Sequence, residues 1–506
     1  MDVFNEIQRL TFTTLMDQIH DMNNNTLRRY GIPATETSIS MVNSIISTSA
    51  TAGVFLAIVF VLPRADVKGR KYICVKLRVF LSCIISLFQL GADFAQSSEL
   101  FVLGTLVGGA NIVIRTYLTI IYVTECAPDK YRGFATTSFV FSDVIGQLFM
   151  FSVASPNVLG KPNTWFFFPL LALIGSLLMY LFALRLPESP KWLVQENRLD
   201  EARSAVLYYQ GSKVDLDGVM TSLIRENNLT VEDKISLRQI WENETMRQAM
   251  KLVLITALFL SLTPILPELA YNLQLNELAG FTVSEALNIN TILVFVFLPA
   301  KFVGTYLIDT LGRRPVLLIA ALTMFVKNCS MMTAQWISFA VGPSWLTKTL
   351  LVLSESLTEC YTATGVNGLG ILYITEFFPP SGRTTAAQTM SLLNMVANLP
   401  LAFLFPVLNT IFPPANYFVF LLVAPIFLIY LLSNVPETKG RAVCDIIENL
   451  DERVMTRRNT EIEEQTPLLF RDRANTHNCK RNSILNTPRT RALTFDYIKR
   501  QDYDIY

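Results

Sequence analysis

Asp66-Val67-Lys68-Gly69-Arg70-Lys71 returns later in the chain as Asp309-Thr310-Leu311-Gly312-Arg313-Arg314. Glu125 with Arg132 returns as Glu376 with Arg383, and Pro187-Glu188-Ser189-Pro190 returns as Pro436-Glu437-Thr438. The three motifs keep their order in both copies, and each copy follows a long apolar run. Duplication of sparse charged motifs in this way marks parallel repeats of one membrane unit.

Composition agrees with a chain that lives in a bilayer. Apolar residues make up 51%, charged residues only 16%, there are 34 Phe, and mean hydropathy is +0.38. The 42 Lys and Arg nearly balance the 41 Asp and Glu, so position rather than net charge carries the information, and nucleic acid is not an expected partner. The seven cysteines (74, 83, 126, 329, 360, 444, 479) form no CxxC pair, and the only histidines are His20 and His477. Neither a disulfide framework nor a metal site is expected.

Crossing roughly 30 Å of hydrocarbon takes ~20 helical residues. Runs of that kind lie near 38–63, 73–94, 98–124, 134–156, 164–185, 250–275, 284–308, 315–341, 345–375, 384–408 and 416–435. An odd number of spans puts the two termini on opposite faces. Arg64, Lys68, Arg70, Lys71, Lys76 and Arg78 bracket the first loop and Arg313 and Arg314 its copy, so the positive-inside rule places both loops in the cytoplasm. The predicted organisation is an outer segment 1–37, an N-terminal bundle 38–186, a cytoplasmic helical linker 187–248, a C-terminal bundle 249–441 and a mostly disordered cytoplasmic tail 442–506. Within 3–19, Phe4, Ile7, Leu10, Leu15 and Ile19 share a helical face, but Glu6, Arg9 and Asp17 interrupt it. This segment is expected to lie on a membrane rather than span one.

The repeated charges have a physical logic. Gly69 and Gly312 permit tight turns, and the arginines after them offer bidentate donors to carboxylates on neighbouring helices. Asp66, Arg70, Glu125, Arg132, Asp309, Arg313, Glu376 and Arg383 read as a gating charge network, a latch on one face that opens when two halves rock apart. The simpler alternative is that they only fix topology.

These motifs, with Pro187-Glu-Ser-Pro-Lys-Trp192, Glu376-Phe-Phe-Pro-Pro-Ser-Gly-Arg383 and Val435-Pro-Glu-Thr-Lys-Gly-Arg441, resemble the sugar porter branch of the major facilitator superfamily, in particular facilitative glucose transporters. The resemblance runs from about residue 38 to 450. It implies an all-α membrane fold of two helical bundles, here with about eleven transmembrane helices, and an intracellular helical domain between the halves. It also implies a central cavity and alternating access without nucleotide or other cofactor.

Two departures qualify the match. The family has a cavity-lining first helix before a glycosylated outer loop, and this chain reads as beginning at that loop, with Asn24-Asn25-Thr26 as an acceptor sequence. The family's sugar contacts fall here on Val140, Leu260, Ser261, Leu266, Phe297 and Ile371, and are largely lost; Asn394, Asn398 and Thr116 remain on matching positions. In compensation, Asp143 and Gln147 follow Val140 on one helical face, so the expected substrate-binding set is Asp143, Gln147, Asn394, Asn398 and Thr116. Arg115, Lys301, Lys327, Glu355 and Glu359 also interrupt apolar runs, each at a cost of about 3 kcal/mol at bilayer depth unless partnered. Lys327 and the two glutamates read as structural pairs or snorkelling side chains.

No GxxxxGK[ST], G-x-S-x-G or H-E-x-x-H occurs, so an enzyme with catalytic residues is not expected, nor is a nucleotide partner. Glu464-Gln-Thr-Pro-Leu468-Leu469 resembles an acidic dileucine sorting signal, which adds endosomal or lysosomal membranes to the plasma membrane as destinations. The expected function is facilitative transport of a hexose or related small polar solute. The alternatives are a proton-coupled carrier of another solute and a non-transporting sensor or partner member.

Overall fold

The computed structural model describes residues 2–436, apart from 63, 65–67, 129–131, 212–213, 231–234, 262, 365, 367–368 and 379. Asp66 and the Glu464–Leu469 motif therefore lie outside the described residues. Each of the eleven predicted apolar runs holds helix among its described residues, and the two halves and the linker fall in one compact unit. The N-terminal half holds α1 (Asp2–Thr14), α2 (Met16–Arg29), α3 (Glu36–Phe60), α4 (Tyr72–Ala95), α5 (Ser98–Cys126), α6 (Arg132–Val153) and α7 (Phe167–Ala183). The linker carries α8 (Pro190–Gln195), α9 (Leu199–Gln210), α10 (Leu216–Thr230) and α11 (Leu237–Glu242). The C-terminal half holds α12 (Glu244–Ser261), α13 (Ile265–Ala270), α14 (Asn272–Leu278), α15 (Val283–Leu311), α16 (Arg313–Ala340), α17 (Trp345–Ala363), α18 (Leu369–Phe377), α19 (Pro380–Ile411) and α20 (Ala415–Asn434).

Seven of the described helices are long and apolar enough to cross a bilayer. Their outer faces expose large apolar side chains such as Phe55, Phe60, Phe295 and Leu422, which lipid covers at no cost. The halves meet along α3 with α19 and α6 with α15.

Residues 2–29 correct the expectation of a segment apart from the bundle. α1 packs on α6 and α7, burying Ile7 and Leu10 against Met150, Phe168 and Ala172. α2 continues past a bend at Leu15 and buries Ile19 and Met22 beside Ala92 and Phe101. Gly146 makes this approach close, because a Cβ there would stand 2.8 Å from the Glu6 side chain. Glu6 is met by Arg9 on the same helix and by Arg115 of α5, and Asp2 by Arg78 of α4, so part of the cost that kept this segment on the surface is offset. The Asn24-Asn25-Thr26 sequence lies inside α2 rather than on a loop, with Thr26 buried and its hydroxyl accepting from the Ser98 N–H at 3.0 Å.

α3 and α5 touch through backbone. A Cβ on Gly53 would run into the Leu106 carbonyl, and one on Gly109 into the Ala50 carbonyl. Gly109→Val is therefore expected to lower stability by about 1–3 kcal/mol through overpacking. Scanning fluorimetry of the purified chain reads this as a reduced Tm, and an unchanged Tm would contradict the close approach.

The linker helices α8, α9 and α10 share a small core of Trp192, Leu193, Val206 and Met220. This core is tied to the N-terminal half at Pro187, whose carbonyl accepts from the Tyr122 hydroxyl at 2.6 Å and the Tyr209 hydroxyl at 2.8 Å. Burial pushes the Tyr209 hydroxyl well above its ordinary range, which keeps it a donor. At the other end the Ile235 carbonyl accepts from Thr385 at 2.7 Å, so the linker touches both halves.

Candidate functional site

Between the halves lies a cavity of about 350 Å³. Its N-terminal wall is polar, with Gln8 and Arg9 from α1, Gln89 from α4, and Asn111 and Arg115 from α5. Its C-terminal wall is mostly apolar, with Pro267, Leu269 and Ala270 on α13 and Met395 and Ala402 on α19.

The polar wall is backed by a charge cluster within the N-terminal bundle. Asp2 accepts from Arg78 at 2.5 Å, and Arg78 is almost wholly buried. The Asn5 amide, turned so that its oxygen faces Arg78, accepts from it at 2.7 and 3.0 Å. Arg115 reaches three carboxylates: Asp2 at 3.4 Å, Glu6 at 3.6 Å, and Asp143 in direct contact. Arg9 donates to Glu6 at 3.0 Å. Among the described residues, Asp2, Glu6 and Asp143 match Arg9, Arg78 and Arg115 in charge, which suits a neutral solute. Gln8 is fixed by donating to the Ser82 carbonyl and the Ser86 hydroxyl at 2.8 and 2.7 Å, and Gln89 donates to the Gln8 carbonyl at 3.1 Å.

The predicted binding residues divide. Thr116 and Asn398 line the cavity. Asn394 stands behind Asn398, its side-chain oxygen accepting from Ser261 at 2.8 Å and its carbonyl from Asn398 at 2.8 Å. Asp143 is paired with Arg115, so its carboxylate positions a cavity residue, and Gln147 hydrogen-bonds Glu6. Asp143 and Gln147 are not among the cavity's lining residues. The side chains of Val140, Leu266 and Ile371 lie outside the described residues. Sequence reasoning missed Asp2, Glu6, Arg9 and Glu268. The first three share a helical spacing, and that was the available signal.

Of the predicted charge network, Arg70 meets Glu125 at 3.5 Å, and Glu125 also accepts from Ser189 at the start of the linker. Arg313 meets Glu376 at 3.0 Å. Each pair joins helices of the same half. Arg383 donates to the Phe378 carbonyl at 3.0 Å. The side chains of Arg132 and Asp309 lie outside the described residues. Gly69 is at φ +90°, and a Cβ there would press on the Glu188 carboxylate, which accepts from the Lys71 N–H at 2.8 Å.

The lone charges of the C-terminal half are partnered. Lys327 is bound to Glu268, and Lys301 meets Glu359 at 2.8 Å. Glu355 accepts from Asn272 and Asn276, each at 2.7 Å.

Comparison with known proteins places this geometry. The xylose transporter XylE from E. coli, in an inward open conformation, superposes with a TM-score of 0.70 at 18% identity, covering 89% of this chain and 98% of that one. The major myo-inositol transporter IolT of Bacillus subtilis is 25% identical over 418 residues, 80% of this chain and 85% of its own length. The facilitated glucose transporter protein 1 of Caenorhabditis elegans is 23% identical over 356 residues, 70% of this chain and 69% of its own. The profile of the family described as "Sugar (and other) transporter" matches residues 12–450, a span that begins inside α1 and takes in both halves. This two-bundle, multi-pass membrane protein, whose family and fold are those of transporters rather than enzymes, belongs to the sugar (and other) transporter family.

Proposed function

We propose that the chain moves a hexose or related small polar solute across its membrane by alternating access, as a facilitator without nucleotide. The observation that supports this best is the cavity between the halves, with a charge-balanced polar wall on one side and Asn398 on the other. Cavities of this size suit small solutes held by a few oriented polar groups. Glu6, the carboxylate that lines the cavity, is already bound by Arg9 and Arg115, which favours a neutral substrate. The C. elegans relative is a facilitated glucose transporter by name and the B. subtilis relative a myo-inositol transporter, and both solutes are neutral and polyhydroxylated.

The Arg70–Glu125 and Arg313–Glu376 pairs are proposed to brace each half at the face where the linker docks, with the linker joining the two braces. By loop charge that face is the cytoplasmic one, and the plasma membrane is the proposed site, with endosomal membranes second. A non-transporting role loses its main support, because α1 and α2 fill a place in the N-terminal bundle.

Counterflow into proteoliposomes, with labelled D-glucose, D-xylose and myo-inositol as probes, tests the reading. At least one should be exchanged. Asn398→Ala removes one hydrogen-bonding group worth about 1 kcal/mol and should weaken apparent affinity about fivefold. No exchange of any probe by a folded, reconstituted chain would refute the proposal.

A further inference from the structure

α13 has two faces. Leu269 and Ala270 line the cavity, while Glu268 points into the C-terminal bundle and binds Lys327 of α16. One turn on, Asn272 and Asn276 of α14 both donate to Glu355 Oε1 of α17, and Asn290 of α15 donates to the Asn272 side-chain oxygen at 2.5 Å. Lys301 of α15 holds Glu359, one turn along α17. The Lys327 ammonium also stands 5.6 Å from the centre of the Tyr417 ring on α20.

The charges do not balance. Glu268, Glu355 and Glu359 face Lys301 and Lys327, and each lysine already has its own carboxylate. Among the described residues, the hydrogen bonds Glu355 receives come from amides. Its Oε2 has no partner, nor has the Oδ1 of Asn276, which is wholly buried, while Glu268 also faces the Tyr417 hydroxyl. Two buried oxygens without a donor, Glu355 Oε2 and Asn276 Oδ1, belong to a cluster with one surplus negative charge at membrane depth. Among the described residues Glu355 has no cation of its own, and a positive charge is what the cluster lacks.

We propose that Glu355 is the seat of a small-cation site in the C-terminal half, filled by a proton. The proton comes from hydronium in the solvent, which leaves as water; it adds to Glu355 Oε2 and supplies the missing donor while cancelling the surplus charge. Hard oxygen ligands are also what a sodium ion would take, so the test separates the two. Occupancy bears on transport because α13 and α14 flank Tyr271, whose hydroxyl donates to the Asn43 carbonyl of α3 in the other half at 2.8 Å. Tyr271 also meets Phe12 edge-on and stacks on Phe405. Neutralising Glu355 changes the grip on the segment that both lines the cavity and joins the halves.

The site stands on the C-terminal bundle and does not depend on which solute is carried, so its test needs no transport. Infrared difference spectra of the purified full chain, titrated from acid to mildly alkaline pH, should show a carboxylic-acid carbonyl band that disappears as pH rises. The band should be missing in Glu355→Gln, and in Glu268→Gln it should disappear at lower pH than in the wild type, because Lys327 is then left to Glu355. Sodium chloride against choline chloride at fixed pH gives the second arm. Loss of the acid band, or bound radioactive sodium that Glu355→Gln abolishes, would show that sodium takes the same site. If Glu355→Gln does not yield a monodisperse protein, Glu355→Asp decides, because a shifted band supports the site and an unshifted one refutes it. A band unchanged in Glu355→Gln, or a wild-type chain with neither the band nor bound sodium, overturns the proposal.

Discussion

Arg115→Ala is expected to lower the stability of the folded chain by about 3–5 kcal/mol, the range for removing one partner of a buried ion pair. Arg115 is the one residue in contact with Asp2, Glu6 and Asp143 together, and its side chain is 16% exposed. Truncation leaves Asp143 without its contact, and leaves Asp2 and Glu6 to Arg78 and Arg9. The helices that carry these groups are α1, α5 and α6, so the loss falls on the packing of the whole N-terminal bundle. Arg115→Lys keeps the charge but not the fork that reaches three carboxylates, and should lie between wild type and alanine. Adding Asp143→Asn to Arg115→Ala should recover part of the loss, since one unpaired carboxylate is gone. Thermal unfolding of the detergent-solubilised chain reads all four proteins. Equal melting temperatures for wild type and Arg115→Ala would mean that the cluster contributes nothing to holding α1 in place.

How much of this was legible beforehand depended on where each charge had its partner. The repeat was legible because Gly69, Arg70 and Glu125 and their copies Gly312, Arg313 and Glu376 are rare residue types in an apolar chain, at a fixed order. The same rarity made Lys327 and Glu359 readable as paired groups. Residues 2–29 were misread for the converse reason. Glu6 and Arg9 lie in a stretch of modest hydropathy and were counted as insertion costs, whereas Arg115 and Arg78, which bind Glu6 and Asp2, lie more than seventy residues away in the chain. A window of twenty residues cannot contain such a partner. Glu268 was missed beside Pro264 and Pro267, because a broken helix blurs the periodicity that assigns faces. The spacing from Val140 put Asp143 on the expected cavity face, but Asp143 is not among the residues that line the cavity. Spacing alone could not say that Arg115 would occupy it.

Lys327→Met is expected to be far more damaging than Glu268→Gln, although the two residues form one pair. Lys327 is 1% exposed and Glu268 11% at the side chain, so both charges are out of water, and breaking such a pair costs about 3–5 kcal/mol when a bare charge is left. The remaining charges decide which break does so. Without Lys327, Glu268 and Glu355 face no ammonium of their own, and only Lys301, already bound to Glu359, remains. Without the Glu268 charge, Lys327 and Lys301 stand against Glu355 and Glu359, and the cluster is balanced. Glu268→Gln should therefore cost about 1 kcal/mol, the value of one altered hydrogen bond. The double variant should recover most of what Lys327→Met loses, because exchanging a whole buried pair for neutral groups is often close to neutral. Acid should also reduce the loss in Lys327→Met, since protons then neutralise the unpaired carboxylates. Denaturation of the three variants across pH measures each difference. Equal losses for Lys327→Met and Glu268→Gln at every pH would mean that Glu355 does not share their field, and the count of charges in this bundle would be wrong.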